Sequence, residues 1–184
     1  MDSEAKKLET LPVADRIVIE RIGNKEVEMR EVRLDVWAQV ALWSDNPRLR
    51  TAQMEGFSSE EQLGDELRRS RGYDGLKKSI EDIGQMQPIY VKETNTGKFL
   101  TLEGNTRVTV LRELDQKHQT GKLAGAFRYV SAKVVPKTFD ERDITILLAG
   151  IHVGGPGVRD WGRYIEAQFV YETVMGRPPT PPVM

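Results

Sequence analysis

The chain has 184 residues, 39% of them hydrophobic and 30% charged, which is typical of one folded domain with its own core. It has no cysteine and two histidines, which excludes thiol catalysis, disulfides and cysteine-ligated metal centres. A net charge of −1 gives no overall basic surface of the kind that binds nucleic acid non-specifically. An apolar leader and an apolar run long enough to span a bilayer are both missing, so we expect a cytoplasmic protein without membrane contact.

Five arginines in two clusters could form a local basic face. The favoured interpretation is that they lie on ordinary solvated helix faces and loops. These arginines are Arg48, Arg50, Arg68, Arg69 and Arg71.

The first part of the chain predicts a β-hairpin and then a helix. Residues 1–13 are polar and are expected to be disordered. Residues 15–22 and 25–32 alternate apolar and polar side chains, and the Gly23-Asn24 pair between them favours a tight turn. Residues 34–43 have apolar side chains at roughly helical spacing, which predicts a helix with Trp37 and Trp43 in the core.

The middle of the chain alternates helices and strands. The predicted helices cover 58–71, capped by Ser58 or Ser59, and 73–83, which ends at Gly84. Strands are predicted at 89–93 and 98–102. The pattern then changes to a helix from Gly104 to about Lys117, and we expect His118 to contact the last carbonyls of that helix.

The last part predicts a strand at 127–135, a helix from Asp140, a glycine-rich loop at 150–157 and a final helix over 160–175. Residues 176–184 form a proline-rich tail that cannot be helical. The chain is therefore expected to be an α+β domain over residues 14–175, with a small mixed sheet flanked by helices and an N-terminal hairpin.

The strand–turn–helix at Glu103–Arg107 is the segment with the clearest chemistry. A glycine at Gly104 lets the backbone approach a ligand, and the first N–H groups of the following helix attract an anion such as phosphate. Arg107 could add a charge-assisted contact and Glu103 could hold Mg²⁺, whereas Asn105 or Thr106 could instead only cap the helix.

Four segments in order resemble the ParB/sulfiredoxin superfamily: Asp45–Arg48, Leu76–Ile80, Gly84–Val91 and Leu102–Arg107. The resemblance covers about residues 32–114. A weaker match continues to about residue 174, with Ile146–His152 resembling the second ParB motif, so that the core motifs lie within 32–152.

The resemblance implies a DNA-associated bacterial or phage protein that binds CTP or ATP with Mg²⁺. Gly104, Asn105, Thr106, Arg107 and Arg48 would contact phosphates. Glu103 would lie at the metal, and Glu103 and His152 would act in any hydrolysis.

Departures from the family leave other functions open. Asn105 stands where sulfiredoxins need cysteine, which excludes that activity, and residues 149–153 lack the Glu, Asn and Arg of the second ParB motif. We therefore expect a nucleotide-binding domain that could hydrolyse the nucleotide. The alternatives are a non-catalytic adaptor that binds DNA or a protein partner, or itself, and a metal-dependent nuclease. His152 is either a catalytic group on a lid or a turn residue. Trp161 could stack on a base, but packing on the core is the favoured interpretation.

Overall fold

The computed structural model describes residues 16–43 and 59–154, the last three as backbone only. Several predictions fall outside these residues. They concern the N-terminal segment 1–13, the loop with Arg48 and Arg50, the helix at 160–175 with Trp161, and the tail 176–184.

The described residues form a mixed α/β fold with a six-stranded sheet in the order β1-β2-β6-β4-β5-β3. Antiparallel pairs join β1 to β2, β2 to β6 and β4 to β5, whereas β4–β6 and β3–β5 are parallel. The strands are β1 (Arg16–Ile22), β2 (Lys25–Asp35), β3 (Val40–Leu42), β4 (Ile89–Glu93), β5 (Phe99–Glu103) and β6 (Tyr129–Val134). The predicted α+β class, with its mixed sheet and N-terminal hairpin, is confirmed.

Helices cover both faces of the sheet. They are α1 (Glu60–Arg69), α2 (Tyr73–Ile83), α3 (Asn105–Lys117) and α4 (Glu141–Gly154). One core packs α1, α2 and α3 on the sheet through residues such as Leu67, Ile80 and Leu114. A second core, with Met29, Leu102 and Leu147, joins the hairpin and β5 to α4. The β5–α3 junction thus lies between two packed layers.

The hairpin has a two-residue turn, Gly23-Asn24, closed by the pair Ile22 and Lys25. Gly23 has a φ of 60°, and Asn24 does not have a positive φ. A positive φ at the first turn residue alone is the type II′ arrangement, which matches the twist of the two strands. The sequence predicted the turn, and the structure shows that only its glycine needs the left-handed conformation.

The helix predicted at 34–43 is wrong. β2 continues to Asp35, whose Oδ1 accepts hydrogen bonds from the backbone N–H groups of Trp37 (2.8 Å) and Ala38 (2.9 Å). These are the bonds of an N-cap, and they begin a single turn that the Gln39 N–H closes on the Asp35 carbonyl at 3.0 Å. Val40–Leu42 then pairs with β5. Trp37 is 36% exposed and donates to Asp115, so its predicted core position is also wrong.

Two further details differ from the sequence predictions. Residues 150–154 are helical, not loop, because α4 packs Ile146, Leu147 and Ile151 against the second core, and this packing outweighs the low helix propensity of glycine. The His118 side chain contacts the Glu81 carboxylate at 2.6 Å, whereas its backbone N–H donates to the Leu114 carbonyl in the last turn of α3 at 2.9 Å.

The described residues contain no helix that is long and apolar enough to cross a membrane.

Candidate functional site

Gly104 is the N-cap of α3, with φ 104° and ψ 16°. A Cβ at this position would lie 2.9 Å from the Cβ of Ile89 and closer still to its Cγ2. Ile89 is fully buried on β4, so it cannot move aside easily. Glycine is therefore required here by the backbone conformation and by the contact with β4, whether or not a ligand approaches.

Within the described part of the chain, the first turn of α3 keeps N–H groups without an intrahelical partner. The first intrahelical bond runs from the Val108 N–H to the Gly104 carbonyl at 3.0 Å, and no side chain caps the helix. The alternative that Asn105 or Thr106 caps α3 is wrong. An N-terminus without a cap has donors and partial positive charge for an anion.

Asn105 has an internal role that the sequence did not reveal. Its side chain is 3% exposed, Oδ1 accepts from the Trp43 N–H at 3.0 Å, and Nδ2 lies 3.5 Å from the Thr101 carbonyl. The amide thus connects α3 to the end of β3. A contact between Asn105 and phosphate stays a prediction and would have to use its backbone N–H.

Arg107 is held by the protein itself. Its Nη1 donates to the carbonyls of Gln87 (3.0 Å) and Pro88 (2.7 Å), and its Nη2 forms an ion pair with Glu103. A guanidinium has five N–H donors, so these three bonds leave Nε–H and one Nη2–H for another acceptor. The side chain is 14% exposed, so its charge lies beside the turn in a largely desolvated position.

Glu103 is equally enclosed, with a side chain 8% exposed and Oε2 on Arg107. The residues described contain no group of three Asp, Glu, His or Cys side chains that could hold a metal ion. One carboxylate that already neutralises an arginine does not fit a metal site by itself. The Mg²⁺ role predicted for Glu103 therefore has no support from the surrounding residues.

A polar cluster behind the turn was missed in the sequence. Tyr90 is the cross-strand partner of Glu103, and its hydroxyl donates to Glu20 at 2.8 Å. Lys133 pairs with the same carboxylate and lies 5.6 Å above the Tyr90 ring. Burial, the Glu20 hydrogen bond and the nearby negative charges raise the pKa of Tyr90, so it stays protonated. The three residues come from three strands, and no local pattern connects them.

A cleft of about 460 Å³ lies elsewhere, between the hairpin turn and the start of α4. Its walls include Asn24, Glu26, Pro136 and Asp143. Its described lining contains none of the predicted site residues, although Ile22 and Phe139 pack in the second core with Leu102, the neighbour of Glu103.

The structure brings Glu103, Gly104, Asn105, Thr106 and Arg107 together, as any contiguous turn must. His152 has its backbone in the last turn of α4, and its side chain is not described. Arg48 lies outside the described residues. No observation therefore places either residue at the turn, and their predicted roles remain untested.

No protein-family model matches this chain, and no curated protein matches it. The chain is similar to a ParB structure. This is the crystal structure of the C-terminally truncated chromosome-partitioning protein ParB from Caulobacter crescentus, complexed with CTP-γ-S. The two are 16% identical, with a TM-score of 0.44, and the match covers 79% of this chain and 62% of that one. A likeness of this size does not establish a family, so membership remains a prediction from the sequence motifs.

Proposed function

We propose that this protein binds a nucleoside triphosphate with its phosphates at the β5–α3 turn. The observation that supports the proposal best is the combination of an uncapped helix N-terminus with an arginine in its first turn that keeps two N–H donors. Both features favour an anion with several oxygens. The ordered motifs that include this turn point to the same ligand.

Within this proposal Glu103 acts as the internal counterion of Arg107. The carboxylate occupies one Nη2 donor and neutralises the charge that a phosphate would use. An incoming phosphate therefore competes with Glu103 for the guanidinium. If Glu103 instead held Mg²⁺, the same carboxylate would strengthen nucleotide binding, so the two roles predict effects of opposite sign.

The first test is a thermal-shift titration of the full chain with CTP, ATP, GTP and UTP, each with and without Mg²⁺. A ligand at about 100 times its dissociation constant should add roughly 2.7 kcal/mol of stability, a shift of several degrees. We expect a shift with one nucleotide that is lost in Arg107→Gln. The matched control is Arg142→Gln on α4, which should behave as the wild type. No shift with any nucleotide would overturn the proposal.

Glu103→Gln separates the two roles of the carboxylate. As a counterion, its neutralisation should tighten nucleotide binding by about tenfold, equivalent to one charge-assisted hydrogen bond of roughly 1.4 kcal/mol. As a metal ligand, it should weaken binding only in the presence of Mg²⁺. Isothermal titration with and without Mg²⁺ distinguishes these outcomes.

Nucleotide hydrolysis is a finer proposal within the same function, with Glu103 or His152 as the group that positions water. Release of phosphate by the wild type, lost in Glu103→Gln or His152→Gln, would support it.

The adaptor alternative has a specific observation in its favour, because the donors of Arg107 are partly occupied by the protein's own carbonyls and carboxylate. Binding to DNA or a protein partner without any nucleotide-induced thermal shift would favour that function. The nuclease alternative requires clustered carboxylates, which the described residues do not contain.

A further inference from the structure

β1 is one edge of the sheet, with β2 as its neighbour and no other described strand beside it. Ile17 and Ile19 are each 66% exposed and project from the face opposite the second core, which Val18 and Ile22 contact. An exposed apolar edge strand is a template for pairing with another strand. We propose that this edge pairs with β1 of a second copy of the chain, in an antiparallel arrangement about a twofold axis at Val18.

The hydrogen-bonding pattern of the hairpin limits the possible registers. The pair Ile22 and Lys25 closes a two-residue turn, so its members exchange backbone hydrogen bonds, and the pattern alternates along the strands. The even-numbered residues of β1 therefore bond to β2. The N–H and C=O groups of Ile17, Ile19 and Arg21 point to the open edge. A second β1 can pair only by aligning odd residues with odd residues.

Charge complementarity selects one of the remaining registers. Centring the twofold axis on Val18 aligns Ile17 with Ile19 of the second copy, and Arg16 with Glu20. Both matches occur twice because of the symmetry. Opposite charges and paired β-branched side chains on facing positions stabilise antiparallel pairs.

The neighbouring registers are less complementary. Centring on Ile19 would place Ile17 against Arg21 and Arg16 against Ile22. Centring on Ile17 would move the pairing beyond the first described residue and leave Glu20 without Arg16. The sequence of β1 thus fits a second copy of itself in one register.

The internal partners of Arg16 and Glu20 lie inward of the open edge, on β2, β4 and β6. Arg16 donates to Glu31 at 2.7 Å through Nη2, and its side chain is 71% exposed, so other N–H donors can reach the second copy. Glu20 accepts from Tyr90 and Lys133, and a carboxylate has about four acceptor positions. Glu20 can keep both partners, and Arg16 would reach the second copy with its remaining donors or by leaving Glu31.

The first experiment measures the molar mass of the full chain by sedimentation over a dilution series. We expect a dimer that dissociates on dilution, and a monomer at all concentrations for Ile17→Lys/Ile19→Lys. Ile83→Lys is the matched control, because Ile83 is 64% exposed at the end of α2 and should leave the dimer intact. A monomeric wild type, or a dimer unaffected by the lysine pair, would overturn the proposal.

The second experiment tests the register, using the absence of natural cysteine. In the proposed register Val18 faces Val18 of the second copy as a non-hydrogen-bonded pair, with Cα atoms about 4.5 Å apart, within disulfide range. The Val18→Cys variant should therefore crosslink on mild oxidation. The Arg21→Cys variant has its thiol on the same strand but far from its counterpart, so it should stay uncrosslinked. If Arg21→Cys crosslinks, or if Val18→Cys does not crosslink in a sample that is dimeric, the register is wrong.

Discussion

At the residue scale, Gly104 must be glycine for two independent reasons, its positive φ and its contact with Ile89. The sequence indicated an approach of backbone to a ligand, whereas the structure shows the side chain of Ile89 where a Cβ would stand. This contact joins β4 to the start of α3, which are separated along the chain by the whole of β5, so no local pattern could predict it. The glycine itself is therefore not evidence for a ligand. The unpaired N–H groups and Arg107 provide that evidence.

Substitution of Gly104 by alanine should cost much more stability than the same change at another left-handed glycine. Gly97 has a φ of 76° and no atom within 4 Å of the added Cβ, so Gly97→Ala measures the conformational cost alone, about 1 kcal/mol. Gly104→Ala adds overpacking against Ile89, for a total of about 3 kcal/mol. Urea unfolding of both variants gives the comparison. Equal losses would show that the Ile89 contact relaxes.

At the scale of elements, local signals predicted most boundaries. Helix α2 runs from Tyr73 to Ile83 as expected, because its apolar residues repeat at helical spacing and Gly84 ends it with a φ of 80°. The errors have a common cause in long-range contacts. The turn after Asp35 depends on the pairing of β3 with β5, and the extension of α4 to Gly154 depends on packing against the sheet.

The helices on the first face are connected by Glu113 of α3, which bonds Tyr73 and Lys77 of α2. Burial alone would raise the pKa of Glu113, but the hydrogen bonds from Lys77 and Tyr73 and the charges of Lys77 and Arg68 lower it below the ordinary value of a glutamate. A depressed folded-state pKa stabilises the fold above the unfolded pKa. That contribution is lost as the pH falls through the folded-state pKa.

Glu113→Gln should therefore destabilise the protein by about 1–2 kcal/mol at pH 7, and the difference from wild type should shrink as the pH falls below about 4.5. Urea unfolding from pH 7 to pH 3 measures it. Glu28→Gln, at an exposed position on β2, is the control and should change stability little at any pH. A difference that stays constant with pH would mean that the Glu113 charge makes no contribution.

At the scale of the whole molecule, the strand order places the proposed dimer edge far from the proposed nucleotide site. The dimer edge is β1, and the nucleotide turn follows β5, with β2, β6 and β4 between them. Four strand spacings of about 4.8 Å correspond to roughly 19 Å. Residues this far apart contribute almost independently unless they share a partner. Ile17 and Ile19 are not part of the Glu20, Tyr90 and Lys133 cluster, whereas Glu20 belongs both to that cluster and to the proposed dimer contact with Arg16.

The monomeric variant Ile17→Lys/Ile19→Lys should therefore bind nucleotide with the affinity of the wild type, within about twofold, because the changes add within roughly 0.5 kcal/mol. Isothermal titration of both proteins, at concentrations where the wild type is dimeric, measures the ratio. Tyr90→Phe is the informative comparison, because it removes the hydroxyl that connects the hairpin to the strand beside Glu103. A weaker nucleotide affinity in the monomeric variant would mean that β1 pairing affects the β5–α3 turn through the Glu20, Tyr90 and Lys133 cluster. In a Tyr90→Phe background, dimer and monomer should then bind nucleotide equally.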